Sequence, residues 1–430
     1  MRRQPRDNAG TTLFVSRPIT TARPATTSAA AVVALVGTLA AVYMVIQTLR
    51  NSIGVIAPNL AAELNLSAAE IGLLSSAFFI AFASAQLPLG VALDRFGPKR
   101  TMLVCACIVI VGVLLFASAA TPTDLILARA LIGVGSCCYL MAPLAFYARR
   151  FPPERFSTLA GIQLGLGSIG TLLATAPLAF SAVTVGWRTT FLIMAAAMLV
   201  AGVLVAVVVP QDETAPLTRE PESLRQSVAG ILKALRTPSV GRLFLMHLTC
   251  YPSFVLIVGL WGGPYLTHVY GYGLEERGDL LFIAAAGQIV GMVLVGPLER
   301  RVGSNKIPVL IGAGLTVAAL LILAAFGKLP SWALVVWLGA FGVITAFTPL
   351  LIAHGKALFP PELVGRGMTV LNIGTMAGAF LSQTLTGAII SLFDAPDGVY
   401  PLIAYRVGFA LQAGCLLLSC LAYLHAHEKR

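Results

Sequence analysis

Residues 90–100 read GVALDRFGPKR and lie between two long apolar runs, at 71–93 and 102–119. The glycines of this stretch permit a tight turn, and its charged residues cluster between the two runs. Each run has about the 20 apolar residues with which an α-helix crosses a bilayer core of about 30 Å. The stretch is therefore predicted to be a loop between two membrane-spanning helices.

The composition of the whole chain supports a membrane protein. Of its 430 residues, 57% are hydrophobic and 11% are charged, against about 25% charged in soluble domains, and the mean hydropathy is +0.87. So few charges could not cover the surface of a soluble fold, and a disordered chain would not carry so many large apolar residues. The composition therefore excludes both classes.

Neither the net charge nor the cysteines indicate a nucleic-acid or metal partner. The net charge is +11, but the basic residues lie in short loops between apolar runs rather than in one patch. All seven cysteines lie within apolar runs, and none has zinc-ligand spacing with a histidine. We expect no nucleic acid, no metal and no other cofactor.

Twelve apolar stretches are long enough to span a membrane, which predicts an all-α polytopic membrane protein. The predicted spans are 30–57, 71–93, 102–119, 125–148, 159–183, 189–209, 243–266, 280–298, 307–326, 332–352, 368–392 and 407–424. Residues 1–28 are rich in Arg, Thr and Pro and are predicted to be a disordered tail. A cleaved signal peptide is the alternative, although the run that follows is much longer than an apolar signal segment of about 7 to 15 residues.

The basic residues predict the orientation of the chain. Of its 29 Lys and Arg residues, 23 lie in the terminal segments and in alternate loops, which favours two cytoplasmic termini in a bacterial inner (plasma) membrane. The longest of these loops, 210–242, divides the chain into predicted bundles of six helices at 29–209 and 243–430. Its amphipathic pattern fits a helix on the inner leaflet or a solvated linker equally well.

Short motifs recur in the two halves of the chain. The sequence FPPE at 151–154 occurs again at 359–362, and GVALDRFGPKR at 90–100 is echoed by GPLERRVGSNK at 296–306. The pair WR at 187–188 corresponds to YR at 405–406. The repeated spacing predicts a duplicated six-helix unit, and two such bundles invite a substrate cavity between them.

The loop 90–100, its echo and the arrangement of six plus six helices resemble the major facilitator superfamily (MFS) along essentially the whole chain. This resemblance implies a secondary transporter with two pseudo-symmetric bundles that works by alternating access. It also implies that the loop braces one side of the transporter closed, with charged gate residues and glycine packing positions. These are Gly90, Asp94, Arg95, Gly97 and Arg100.

Two further segments resemble signatures of the same family. The sequence LARALIGVG at 127–135 resembles the signature of the fourth helix, in which Arg129 either takes part in substrate binding or coupling, or pairs structurally. In the fifth span, Gly161, Gly165 and Gly170 have the spacing of a close helix-packing face. That span lacks the Gly-Pro pair of the family's drug/proton antiporters, which disfavours multidrug export.

The first span carries the best substrate-binding candidates. Tyr43, Gln47 and Arg50 recur on one helical face, and Arg50 lies about 12 Å along a helix before Pro58. That spacing resembles organophosphate antiporters and related organic-anion transporters, in which the arginine binds the anionic group. The alternative is an arginine that extends to the outer headgroups. The seventh span has Leu256 where the phosphate-transporting relatives have a second arginine, so organophosphates are disfavoured.

Other polar residues in the spans are weaker candidates. Gln163, Trp261, Gln288 and Asn372 complete the predicted substrate-binding set, although helix-to-helix hydrogen bonds explain such side chains equally well. No Asp or Glu lies in the middle of a span, and His247 and His354 are predicted near helix ends. The coupling partner, a proton or a counter-substrate, stays open.

The sequence therefore predicts a secondary transporter that moves a small solute, an organic anion being favoured. The alternatives are a proton-driven exporter of drugs or metabolites and a sensor or assembly factor that keeps the fold without flux. No grouping of His, Asp and Glu suggests a catalytic cluster, so no enzyme is expected. The partners we expect are a small-molecule substrate and the lipid bilayer, with the chain acting as a monomer.

Overall fold

The computed structural model describes residues 29–211, 239–359 and 364–427, and these ranges contain helices and no strand. Twelve helical spans emerge when a pair bent by 41° counts as one. They are α1 Ala30–Asn51, α2 Ala68–Leu93, α3 Arg95–Ala117, α4 Pro122–Arg150, α5 Thr158–Leu173 with Ala176–Val185, α6 Trp187–Val208, α7 Val240–Tyr270, α8 Leu274–Pro297, α9 Lys306–Phe326, α10 Ser331–Leu358, α11 Gly367–Ile390 and α12 Leu402–Tyr423. The all-α prediction with twelve spans is confirmed. The predicted tail and most of the predicted linker lie outside the described residues.

The first span differs from its prediction because its helix breaks. The helix ends at Asn51, and a short helix, Ile53–Leu64, continues beyond Ser52. At the break, the guanidinium of Arg129 on α4 donates to the carbonyl oxygens of Leu49, at 2.7 Å, and Arg50, at 3.2 Å. In an unbroken helix these carbonyls bond only to amides four residues on. A side chain from another helix therefore stabilises the break.

The turn between α2 and α3 depends on a glycine. Gly97 has φ 78° and ψ 165°, a conformation that side-chain-bearing residues rarely adopt. The Thr101 hydroxyl donates to the carbonyl oxygen of Gly97 at 2.8 Å, which stabilises the first turn of the following helix. The helices on either side continue up to this kink, so the loop at 90–100 is much tighter than the predicted gap between spans.

The seventh span is the most irregular, and it is longer than the predicted 243–266. It consists of Val240–His247, Cys250–Leu256, a π-helical turn at Ile257–Trp261 and Gly262–Tyr270. Glycines at 259, 262 and 263 and a proline at 264 explain the irregular turn, because they weaken regular helical bonding. A π-helical turn in a span often accompanies a functional position.

The two halves, α1–α6 and α7–α12, meet most closely at one end of the bundle. We call the end that carries residues 29 and 427 the terminal end and the opposite one the distal end. At the distal end the backbone amide of Ala68 donates to the Tyr400 hydroxyl at 2.8 Å, and Thr384 Oγ1 donates to Ser76 Oγ at 2.9 Å. These bonds join α2 to the second half, so the distal end is closed.

Backbone also meets backbone across the halves at the distal end. A Cβ atom at Gly54 would overlap the carbonyl oxygen of Val258, and one at Gly263 would overlap the carbonyl oxygen of Gly54. Gly72 and Gly387 approach each other in the same way, since a Cβ on Gly72 would lie 3.0 Å from the Cα of Gly387. The distal closure therefore requires glycines on both sides.

Candidate functional site

A small cavity of about 20 Å³ lies between the halves at mid-depth, enough for about one water molecule. Helices α1, α2 and α4 form its wall in the first half, and α11 forms its wall in the second. The lining residues are Tyr43, Arg50, Phe82, Gln86, Ser136, Leu140, Met141, Asn372 and Met376. The wall is thus mostly apolar, with one formal charge.

Arg50 carries that charge. Its side chain is 7% exposed, and its guanidinium lies over the rings of Phe82, at 5.0 Å, and Phe78, at 5.6 Å. Its Nε is buried and has no hydrogen-bond partner, and no acidic side chain among the described residues pairs with it. The aromatic rings stabilise the cation in part. A buried cation without an anionic partner is costly, so the site favours a ligand with a negative charge.

Polar groups from both halves accompany Arg50 in the cavity. Gln86 on α2 donates through Nε2 to the carbonyl oxygen of Cys137 at 3.2 Å, which fixes its side chain. Asn372 is half-buried on α11, across the cavity. A ligand held between Arg50 and Asn372 would contact both halves at once, as alternating access requires.

Two of the three residues on the predicted binding face of α1 line the cavity. Tyr43 and Arg50 both line it, whereas Gln47 packs its Cβ against Gly170 of α5. The Oε1 of Gln47 and the Oδ1 of Asn51 are buried without a hydrogen-bond partner. Buried polar atoms without partners are rare in folded proteins, and here they continue the polar stripe from Arg50 along α1.

The contacts of Arg129 are those of a residue that supports the fold. It is fully buried, its guanidinium lies 5.0 Å from the Phe78 ring, and it donates to the backbone of α1 as described above. It does not line the cavity. The contacts make it a positioning residue for the segment of α1 that carries Arg50.

Three of the other predicted binding residues lie away from the cavity. Gln163 is held at both ends of its amide, donating to the Leu39 carbonyl oxygen and accepting from the Tyr147 hydroxyl. Trp261 donates to Thr386 Oγ1 at 2.8 Å within the second half. Gln288 is buried on α8, where its backbone faces α10. Only Asn372 of the four lines the cavity.

The predicted gate residues lie at the terminal end. Arg95 and Arg100 are exposed, and the Arg95 guanidinium lies 5.4 Å from the neighbouring Phe96 ring. Gly97 makes the turn between α2 and α3, whereas Gly90 is exposed and a Cβ there would meet nothing within 4 Å. The side chain of Asp94 lies outside what the structure describes.

The predicted packing glycines of α5 divide into two groups. A Cβ at Gly170 would overlap the carbonyl oxygen of Met44, so this glycine permits α5 to pack against α1. At Gly161 and Gly165 a Cβ would meet no atom within 4 Å. The close packing predicted for these two positions is thus absent from this conformation.

The sequence analysis used Arg277 only for topology, but the structure gives it a specific role. It is 3% exposed on α8 and donates to three groups: the Val55 carbonyl oxygen at 2.7 Å, Asn59 Oδ1, and Thr267 Oγ1 at 3.0 Å. The first two acceptors belong to the other half. No sequence signal indicated this role, because Arg277 lies in the charged segment LEERGD at 274–279, before the predicted span 280–298.

Comparisons with known proteins agree with this architecture. The family model described as Major Facilitator Superfamily matches residues 39–343 and 243–430. A gentisate transporter of Corynebacterium glutamicum is 28% identical, covering 86% of this chain and 82% of that protein. A 3-(3-hydroxy-phenyl)propionate transporter of Escherichia coli is 25% identical over 85% of this chain and 89% of its own.

Solved structures share the fold at low sequence identity. The nucleoside transporter NupG superposes with a TM-score of 0.73 at 14% identity, covering 92% of this chain and 100% of the other. An inward-facing, unoccupied bacterial homologue of the human lysosomal transporter Spinster gives a TM-score of 0.74 at 17% identity, with coverages of 93% and 97%. The helical order, the paired halves and the family match lead to one conclusion: the chain belongs to the major facilitator superfamily and is a secondary transporter of small solutes.

Proposed function

We propose that this transporter carries a small monovalent organic anion and that Arg50 binds the anionic group. The observation that carries the proposal is the guanidinium of Arg50, which lines the cavity between the halves and, in the part of the chain that the structure describes, has no acidic partner. A carboxylate would supply the missing charge and bind the guanidinium in a bidentate manner.

The lining of the cavity favours one negative charge and an apolar body. Arg50 is its one charged lining residue, because the nearby Arg129 is engaged by backbone carbonyls. Phe82, Leu140 and Met376 supply apolar surface around it. In the present conformation the cavity is smaller than such an anion, so binding requires the halves to separate around the ligand, as they do in alternating access.

The names of several relatives support an organic anion as the substrate, although sulfoacetate carries two negative charges rather than one. Besides the gentisate and hydroxyphenylpropionate transporters, these relatives include a probable sulfoacetate transporter of Cupriavidus necator and a hexuronate transporter of Escherichia coli. All four names describe organic anions. A nitrite extrusion protein of Bacillus subtilis and a multidrug resistance protein of Salmonella heidelberg are also similar, so inorganic anions and drugs belong in the test.

The orientation and working form belong to the same proposal. Lys and Arg concentrate in the terminal segments and the loops of the terminal end, which favours a cytoplasmic terminal end in the bacterial inner membrane. The conformation would then face inward. We propose that the chain works as a monomer, as two bundles with a cavity between them, and moves its substrate without a chemical step.

Counterflow in proteoliposomes tests the proposal. The purified chain is reconstituted with an internal excess of each unlabelled solute, and entry of the labelled form is followed for gentisate, 3-(3-hydroxyphenyl)propionate, nitrate, a neutral nucleoside and a cationic drug. We expect counterflow of a monocarboxylate, and we expect Arg50→Ala to lower it at least about 100-fold, since charged hydrogen bonds contribute about 3 kcal/mol.

The control is Lys328→Gln, which removes one exposed positive charge at the distal end without touching the cavity. It should transport at the normal rate. Normal affinity for the anion in the Arg50→Ala protein would contradict the role of Arg50. Transport of only the neutral nucleoside would contradict the anion proposal, and a lack of flux for every solute would favour the sensor alternative.

A further inference from the structure

The second half contains a buried histidine with an unused ring nitrogen. His247, in the first segment of α7, is 2% exposed. Its Nδ1 lies 3.0 Å from Thr375 Oγ1 on α11, whereas its Nε2 is buried and has no hydrogen-bond partner. The sequence had placed this residue near a helix end, where an interfacial role is ordinary. The structure places it inside the bundle instead.

The hydrogen bonds around Thr375 determine which nitrogen carries the hydrogen. The Thr375 hydroxyl donates to the Leu371 carbonyl oxygen at 3.1 Å. A hydroxyl has a single hydrogen, and when that hydrogen is donated to Leu371, the Thr375 oxygen accepts from Nδ1–H of the histidine; we infer this tautomer from the bond to Leu371. Neutral His247 therefore presents the lone pair of Nε2, to which a proton can bind.

This proton acceptor lies directly behind the wall of the substrate cavity. Thr375 follows Asn372 by three residues and precedes Met376 by one, and both of those residues line the cavity with Arg50. Positions separated by three or four residues share a helix face. One hydrogen bond therefore connects His247 to the face of α11 that contacts the ligand.

The spans packed around His247, as far as the structure describes them, contain no carboxylate that could balance a proton. The first segment of α7 packs against α10, α11 and α12, and none of the four spans contains an Asp or Glu. Other titratable or charged groups of this region come from these spans and from the lining of the cavity. They are Arg242, Cys250 and Tyr251 of α7, His354 and Lys356 of α10, Cys415, Cys420 and Tyr423 of α12, and Tyr43 and Arg50 of α1. His354 and Tyr423 bond to each other. The negative charge that best balances a proton on His247 is then the transported anion itself.

We propose that Nε2 of His247 binds a proton that is cotransported with each anion. The inference rests on the proposed function of the cavity. When the transporter is open to one side of the membrane, Nε2 of His247 binds a proton from the aqueous phase and Arg50 binds the anion. When it opens to the other side, the proton and the anion are released there. A monovalent anion and one proton carry no net charge together, so transport is electroneutral and is driven by a pH gradient.

Proteoliposomes that contain the full chain separate coupling from binding. With one proton per anion, a gradient of one pH unit supports accumulation of about tenfold at equilibrium, because one pH unit is 1.36 kcal/mol. We expect wild-type protein to reach this ratio with gentisate or 3-(3-hydroxyphenyl)propionate, and His247→Asn to reach a ratio of about one while it retains counterflow. Asparagine keeps an N–H donor for Thr375, but it lacks the basic ring nitrogen that would bind the proton.

The matched control is His354→Asn. His354 is also buried, but both of its ring nitrogens are engaged, by the Tyr423 hydroxyl and by the His427 carbonyl oxygen. This variant should keep both counterflow and accumulation. Accumulation by His247→Asn at the wild-type ratio would overturn the inference and leave the proposed function intact, whereas a wild-type protein without anion counterflow would overturn the proposed function itself.

A measurement on the wild-type protein covers the case in which the histidine variant does not fold. Proton uptake into weakly buffered vesicles is followed with an internal pH-sensitive dye while labelled anion enters. We expect about one proton per anion and no effect of an imposed membrane potential, which acts only on net charge. Anion entry without protons would overturn the inference.

Discussion

Two arginines flank the same phenylalanine, and their surroundings differ. The guanidinium of Arg129 lies 5.0 Å from the ring of Phe78, and that of Arg50 lies 5.6 Å from it. Arg129 is bound to two backbone carbonyls of α1, whereas Arg50 has no acidic partner among the described residues and lines the cavity. The partners of a buried charge, rather than its presence, thus distinguish a supporting residue from a binding residue.

The largest effect on stability should come from replacing the supporting arginine. Arg129→Leu removes two hydrogen bonds and leaves the Leu49 and Arg50 carbonyls at the helix break without these donors. We expect the free energy of unfolding to fall by about 3 kcal/mol, since hydrogen bonds to charged groups contribute about 1.5 to 3 kcal/mol each. Thermal unfolding in detergent, followed by the reaction of buried cysteines with a fluorescent maleimide, measures it.

Arg50→Leu is the matched variant for that comparison. It removes a buried charge that no acidic side chain balances, so we expect unfolding stability equal to or above that of the wild type. Equal destabilisation by both substitutions would show that the two arginines do not differ in the way described.

A third arginine extends the comparison to the distal closure. Arg277→Ala removes the bonds to Val55 and Asn59 that cross between the halves. We expect the ratio of molecules that are open at the distal end to molecules that are closed there to rise about 30-fold. This change corresponds to about 2 kcal/mol. The readout is labelling of a cysteine placed at Ser76, which is fully buried in the closed form, by a membrane-impermeant thiol reagent.

The control for this shift is Arg406→Ala. Arg406 donates to the carbonyl oxygens of Ala324 and Ala325 at the distal end, but all three residues belong to the second half. Its loss should leave labelling at residue 76 unchanged. Unchanged labelling in the Arg277→Ala protein would mean that other contacts keep the distal end closed.

The smallest effect is expected for an arginine paired at the surface. Arg188 on α6 forms an ion pair with Glu63, and both side chains are about 40% exposed. Hydrogen bonds from Trp187 and then from Arg188 hold the pKa of the Glu63 carboxyl below its usual value. The carboxylate therefore stabilises the fold above its unfolded pKa, and this contribution is lost as the pH falls through the lowered folded pKa.

We expect Glu63→Gln to cost less than about 1 kcal/mol at pH 7, because exposed pairs contribute little. The melting temperatures of wild type and variant in detergent should converge as the medium becomes acidic. A difference that grows in acid would contradict the direction of the pKa shift.

Sequence reasoning recovered the architecture because the length of apolar runs determines which helices can span a bilayer. It also grouped Tyr43 with Arg50, since helical periodicity places them on one face. It could not foresee the break at Ser52, because that break is bound by Arg129 from a distant part of the chain. Local pattern carries no information about such a contact.

The candidate site was less predictable than the fold for a similar reason. Gln163 and Asn372 look alike as single amides in apolar spans, yet one is held within the first half and the other lines the cavity. Their difference depends on which helices face each other. The binding roles of Arg50 and Asn372 stay predictions, whereas the positions of these residues follow from the packing of both halves.

The glycine contact between the halves has a practical use. Because the backbones of Gly54, Val258 and Gly263 meet without intervening side chains, a single methyl group on residue 54 would act as a wedge. Such a variant would keep the distal end partly open while leaving Arg50 and His247 chemically unaltered. It offers a route to trap the opposite state of the cycle for structural work.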